Sequence, residues 1–362
     1  MRMRWQLMVG AAVAMMMLLA ACGAGAGAGN EAAEGDGAQT AGAAAGTEAA
    51  ANADGAEGLT DVSFRLDWVI SGEHSHFYAA LDEGFFEEEG LNVEIFEGGG
   101  SALATQLVAN QTNDFGLADF GVVVSSRAEG VNAVTVANLF QETPHALMTL
   151  EGKGIDSAED LKGKRIGGAA GSGAVVLFSP YLESVGMSID DVNMVQLDPA
   201  AYIPSLYEGR IDGFPGSRIS QYPQLVVSAP EPPTLIPFSE GLDLASMGLI
   251  AHPDMVANEP ETVRAFVRAI QRAIEWTVDN PEDAIENMTQ RFPNTVDAES
   301  AEIAIGVLKE LAVDGLDEGQ PIGYLPPERA ENTLATLIEY GGLDEADVVG
   351  AEEYYTNDFV EE

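Results

Sequence analysis

Apolar Val62, Phe64 and Leu66 alternate with polar residues, the period of a half-buried strand, and the alternation stops at Asp67-Trp68 before a polar loop. Asp67 and Trp68 are thereby placed at a strand's carboxyl end. The period then changes. Phe77, Tyr78, Ala80, Leu81, Phe85 and Phe86 recur at helical spacing, Gly84 and Gly90 mark the helix exit, and Leu91, Val93 and Ile95 give a second strand. Gly98-Gly99-Gly100-Ser101 follows and opens the next helix. Such a turn puts bare backbone N–H groups where a ligand could approach, or simply lets the chain reverse.

The alternation of strand and helix continues. A helix over 103–109, a short strand ending on Asp119, a helix over 122–129 and a strand over 131–139 predict an α/β unit with a mainly parallel sheet. Around Phe140 to Pro144 the chain should leave it. A second unit starts with the strand 145–150. Its strand 165–168 runs into Gly171-Ser172-Gly173 and a helix from about Ala174 to Ser184, repeating the earlier glycine-serine corner. A strand over 194–197, a helix over 199–208 carrying Tyr202 and a strand over 211–214 follow, with Pro215-Gly216-Ser217-Arg218 at its end. Strands over 235–238 and 245–251 flank a turn at Gly241, where the return crossing is expected, and two crossings imply a hinge. Val263, Phe266, Val267, Ile270, Ile274 and Trp276 form the apolar stripe of a long helix, with Trp276 assigned to the core. Helices over 281–291, 297–312 and 327–340 should cover the first sheet.

Composition adds the amino terminus. Arg2 and Arg4 precede an apolar run that closes on Leu19-Ala20-Ala21-Cys22, the pattern of a lipoprotein signal. Cys22 is the chain's one cysteine, so no internal disulfide can form and lipidation at Cys22 is the expected role. An ordinary secretory signal with an incidental cysteine is the alternative. Gly23 to Gly58 holds no large apolar residue and reads as a flexible tether. The expected organisation is a signal peptide over 1–21, a tether over 22–58, lobe I over 59–143 and 245–343, lobe II over 144–244, and a loosely docked acidic tail over 344–362. A formal charge of -43 over 362 residues excludes nucleic acid as a partner. With four lysines against 59 acidic residues, self-repulsion calls for salt screening, which points to a saline setting or to an acidic but ordinary secreted protein.

In open α/β sheets ligands bind beyond the carboxyl ends of the strands. That rule makes Asp67, Trp68, His74, Gly99, Ser101, Asp119, Gly171, Ser172, Gly173, Tyr202 and Arg218 the candidate ligand-binding residues. Trp68 offers a flat face for a heterocycle or caps the core. Asp67 and Asp119 accept from N–H groups, although Asp67 could equally cap a turn, and His74 donates or accepts by tautomer or is a solvated loop residue. Tyr202 is read as packing or contact, and Arg218 as a cleft cation or half of a surface ion pair. His76 is assigned to the helix surface. No P-loop, Gly-x-Ser-x-Gly, Cys-x-x-Cys or His-x-x-x-His spacing occurs, so no catalytic role, metal or cofactor is expected.

Asp67-Trp68 with His74 and Tyr78, EGFFEEEGLNVEI, the GGGSA turn, QLVANQTNDFGLAD and SSRAEG together resemble the nitrate, sulfonate, taurine and thiamine-precursor class of ABC-importer substrate-binding proteins, from about Val62 to Glu339. The Asp-Trp-to-His spacing is closest to the pyrimidine-precursor branch. The resemblance implies a two-lobed type II periplasmic-binding-protein fold with a hinge. It also implies a monomeric, lipid-anchored, extracytoplasmic receptor that passes a small heterocycle to a membrane permease. A sulfonate, taurine or nitrate receptor of the same fold is the alternative. A relative that makes a thiamine pyrimidine with a lysine-bound cofactor is the enzyme alternative, but no lysine precedes Lys153 here.

Overall fold

The computed structural model describes residues 58–360, so the signal, Cys22 and nearly all of the tether lie outside the described residues. Ten strands form three sheets: β1 Thr60–Arg65, β2 Leu91–Phe96, β3 Phe115–Asp119, β4 Val134–Asn138, β5 His145–Leu150, β6 Arg165–Gly168, β7 Asn193–Gln196, β8 Phe214–Ser217, β9 Pro233–Pro237 and β10 Met247–Ala251. The first sheet has the order β2-β1-β3-β10-β4. Its β1 pairs in parallel with β2 and β3, as alternating strands and helices require, whereas β10 returns after the second set of strands and inserts antiparallel between β3 and β4.

That insertion makes the first sheet half antiparallel where a mainly parallel one is expected, and the second set of strands is mixed as well. β5 pairs antiparallel with both β8 and β9, and β6 with β7 forms a separate parallel pair joined to the rest by one bridge, Ile166 to Gly213. The strand expected over 211–214 begins only at Phe214, because Asp212 spends its carboxylate on Arg165 and its carbonyl on Thr149 before the ladder starts. The helix expected from Ala174 breaks at Leu177 into Gly173–Val176 and Phe178–Ser184.

Two large apolar cores result, beside two smaller clusters. The first is built on phenylalanines: Phe115 and Phe266 stack at 4.1 Å, and Phe64 meets both Phe77 and Phe266 edge-on. Phe266 lies on Pro260–Asp279, the long amphipathic helix whose apolar stripe faces the sheet, and Trp276 packs half-buried at the core's edge. The second gathers Phe178, Tyr181 and Phe238, with Tyr181 and Phe238 stacked at 4.5 Å. The acidic carboxyl terminus, expected to dock loosely, instead packs. Tyr354 and Phe359 are buried and Tyr355 bridges to Thr135, because two aromatic anchors outweigh the repulsion of the acids between them. No helix among the described residues is long and apolar enough to cross a membrane.

Candidate functional site

The strand ends and the loops after them meet around a cavity. From the first sheet's side Asp67, Trp68, Glu73, His74, His76 and Phe77 line it, and from the other side His145, Ser172, Gly173, Tyr202, Ser217, Ile219, Ser220 and Gln221.

Asp67 and Trp68 are held by the glycine turn. Gly100 N–H donates to the Asp67 carbonyl at 2.6 Å and Gly98 N–H to the Trp68 carbonyl at 2.9 Å. A Cβ on Gly98 would stand 2.1 Å from the Leu66 carbonyl, so the close approach requires glycine there. Two amides expected to face a ligand therefore position two residues that line the cavity. The Trp68 indole reaches into an apolar cluster with Met148, Leu150, Tyr202, Leu206 and Phe214, all from the second set of strands and its helices.

A 3₁₀ turn, Gly72–His74, precedes the helix Ser75–Asp82. It sits so tightly on the helix Ala298–Lys309 that a Cβ on Gly72 would meet the Ala301 Cα at 2.7 Å. This turn buries Glu73, His74 and His76 together. His74 Nδ1 accepts from the Ser71 N–H at 3.3 Å, so its Nε2 carries the proton, and Nε2 lies 3.4 Å from Asp67 Oδ1 and 3.2 Å from Glu73 Oε1. Burial pushes Glu73 up to about 8, partly offset by His74. Burial alone would lower His74, but the two carboxylates outweigh it and raise it. Donor atoms of Asp67, Glu73 and His74 lie within 4.8 Å of one another, a spacing that suits a divalent cation. The tautomer opposes that use, since an Nε2 bearing hydrogen has no lone pair to give.

His76 is a correction to the surface assignment: its ring is 1% exposed, both nitrogens lack a partner, and burial lowers its pKa to about 3. His145, the first residue of β5, was not singled out from the sequence. Both of its ring nitrogens also lack a hydrogen bond, although Nε2 is 3.3 Å from Asp119 Oδ2. Tyr202 lines the cavity with its hydroxyl accepting from the Ala169 N–H, and burial raises its pKa.

Of the remaining candidates, Ser172 and Gly173 line the cavity, but the helix they open is only four residues long and offers little dipole. Asp119, Ser101, Gly99, Gly171 and Arg218 do not line it. Asp119 is buried, with Oδ1 accepting from Gly121 N–H and Oδ2 from the Ser246 hydroxyl, both at 2.9 Å. Ser101 Oγ accepts from the Asp119 N–H. Gly171 and Gly100 do face one another, as two opposed glycine-serine corners should, but they bond to each other's segments: Ala102 N–H donates to the Gly171 carbonyl at 3.2 Å. Arg218 pairs with Glu310 at 2.7 Å and 2.9 Å, the surface ion pair and not the cleft cation. No lysine or arginine is among the described residues lining the cavity.

Comparisons with known proteins agree with this architecture. The chain is 25% identical over 296 residues to the formylaminopyrimidine-binding protein of Halalkalibacterium halodurans, covering 80% of this chain and 88% of that protein. It is 28% identical over 236 residues to the 4-amino-5-hydroxymethyl-2-methylpyrimidine phosphate synthase of Schizosaccharomyces pombe, covering 62% and 67%. Among solved structures, the alkanesulfonate-binding protein of Xanthomonas axonopodis pv. citri superposes with a TM-score of 0.66 at 16% identity, over 82% of this chain and 98% of that one. The Synechocystis nitrate-binding protein superposes with a TM-score of 0.64 at 14% identity, over 83% and 87%. The fold is that of the periplasmic binding proteins. Residues 71–284 match the family model described as NMT1/THI5 like, and the chain belongs to that family.

Proposed function

We propose that this cavity captures a small neutral or weakly basic N-heterocycle of the thiamine-pyrimidine-precursor kind and releases it unchanged to a membrane importer. The observation that carries the reading is the lining itself: two aromatic faces, Trp68 and Tyr202, beside Asp67, Glu73 and three imidazoles, with no lysine or arginine among the described lining residues. Carboxylates accept from amino and ring N–H groups, a neutral imidazole both donates and accepts, and an indole takes a flat ring on its face. A sulfonate or nitrate would meet two acids with only the His74 imidazole to offset them. The formylaminopyrimidine-binding relative supports the same choice.

On this reading residues 59–143 with 245–343 form one lobe and 144–244 the other. The crossings between β4 and β5 and between β9 and β10 act as the hinge. Ligand favours the closed form because it touches both lobes at once. The signal and Cys22 hold the receptor on the outer face of the membrane, next to an ABC permease.

The second reading, a synthase, is favoured by the relatives named as pyrimidine phosphate synthases. It requires a lysine for the cofactor, and no lysine is among the described lining residues. A thermal-shift panel of aminopyrimidines, thiamine, taurine, alkanesulfonates and nitrate tests the proposal. Aminopyrimidines should raise the melting temperature by mass action, and a shift confined to the anions overturns it. Conversion of a bound pyrimidine into a new product would favour the synthase.

A further inference from the structure

The geometry points to His76 and His145 as the pair that reads the ligand's hydrogen-bonding pattern from opposite walls, so that the guest must carry both N–H donors and lone-pair acceptors, as an amino-substituted azine does and an oxyanion does not. This rests on the proposed capture of an N-heterocycle in the same cavity and adds which groups select it.

Two of the four histidines are already engaged. His74 is bonded at Nδ1 and faces carboxylates at Nε2, and His252 caps the helix Pro253–Asn258 by accepting from the Asp254 N–H at 3.1 Å. The other two are less so. His76, on the helix Ser75–Asp82, and His145, at the start of β5, are 1% and 5% exposed and line the cavity, and none of their four ring nitrogens makes a hydrogen bond, although His145 Nε2 faces Asp119 Oδ2 at 3.3 Å. Buried polar atoms are nearly always satisfied, so unpartnered nitrogens on a cavity wall mark where a guest's polar atoms belong. The His76 ring is fixed against Phe77 at a centroid separation of 3.9 Å, so its nitrogens cannot easily turn to another protein partner.

A neutral imidazole offers one donor and one acceptor. Burial keeps His76 neutral at pH 7, because its pKa is lowered to about 3. A guest made only of acceptor oxygens satisfies the N–H of such a ring and leaves its lone pair unmet. A guest with an amino group beside a ring nitrogen can satisfy both.

The test is nuclear magnetic resonance on the full chain labelled with ¹⁵N-histidine, with signals assigned from single His→Gln variants. The ligands added are 4-amino-5-hydroxymethyl-2-methylpyrimidine, taurine and nitrate, each with a parallel thermal shift. The pyrimidine should move the ring ¹⁵N signals of His76 and His145 and leave His252 in place, and His76→Leu should weaken its binding by about tenfold. A thermal shift with the pyrimidine but unmoved His76 and His145 signals overturns this inference and leaves the proposed function standing. No thermal shift with the pyrimidine overturns both. Displacement of the two signals by nitrate also overturns it, since that guest donates nothing.

Discussion

The Trp68 and Tyr202 rings lie 6.3 Å apart and tilted by 47°, although Trp68 follows a strand of the first sheet and Tyr202 sits on the helix Tyr202–Tyr207, among the elements between β5 and β9. Trp68 is thus both a cavity wall and a piece of the opposite side's apolar cluster. Trp68→Ala should destabilise the fold by about 3–5 kcal/mol and weaken pyrimidine binding by about three- to tenfold. Urea unfolding and a fluorescence titration measure the two effects. Full stability with unchanged affinity would remove Trp68 from both roles.

Glu73 makes stability depend on pH. Its folded pKa, about 8, lies above the ordinary 4.5, so its contribution is complete below 4.5 and is lost as pH rises toward 8. His74, also raised, acts in the same direction. His76, lowered from 6.5 to about 3, works oppositely, costing stability as pH falls below 6.5. Between pH 6.5 and 8 the Glu73–His74 pair therefore dominates. The unfolding free energy should fall there by about 1.4 kcal/mol per pH unit at most for each proton lost, and Glu73→Gln should flatten the slope. A slope that survives the substitution assigns the titration elsewhere.

Gly100 and Gly171 define the seam between the glycine-serine corners. A Cβ on Gly100 would stand 2.5 Å from the Gly171 carbonyl oxygen, whereas a Cβ on Gly171 would meet nothing nearer than Ala102 Cβ at 3.5 Å. Both glycines have positive φ, +129° and +82°, so an alanine is strained at either place. Gly100→Ala should reduce pyrimidine affinity more than Gly171→Ala, since only the first also blocks the approach of the two segments. Calorimetric titration of the two variants decides it, and equal losses would reduce the effect to backbone strain.

Arg218 and the overall charge give contrasting expectations. Arg218→Ala should leave ligand affinity unchanged and cost under about 1 kcal/mol, because its partner Glu310 is more than half exposed. A large loss of affinity would return Arg218 to the site. Sodium chloride, by contrast, should raise the melting temperature of the whole protein, since a formal charge of -43 repels itself until salt screens it. A melting temperature indifferent to salt would argue against a saline setting.

What the sequence revealed follows from periodicity. The first unit and the helices Pro260–Asp279 and Pro281–Arg291 were legible because long apolar stripes and proline starts fix them. The strand-end positions of Asp67 and Trp68 carried the site. Less legible was anything set by a turn. The 3₁₀ turn Gly72–His74 rotates the following helix so that His76 faces inward, and no apolar period records that rotation. His145 opens a strand whose period says only that it is buried. The glycine-serine corners were placed correctly, yet a sequence does not tell which amides a neighbouring carbonyl will claim, as those of Asp67 and Trp68 claim two here. The helix Gln221–Ser228, whose Gln221 accepts from the Ser217 N–H to shape the cavity turn, escaped notice because Pro223, tolerated in its first turn, reads in sequence as a helix breaker.

Strand β10 occupies the interior of the first sheet, between β3 and β4, yet residues 145–237 are synthesised before it. As the polypeptide leaves the ribosome, β3 and β4 must wait with exposed ladder edges until the intervening segment is complete. The later-starting half can consequently mature ahead of the earlier one, and a chain truncated just short of Met247 would keep unpaired edges open to aggregation.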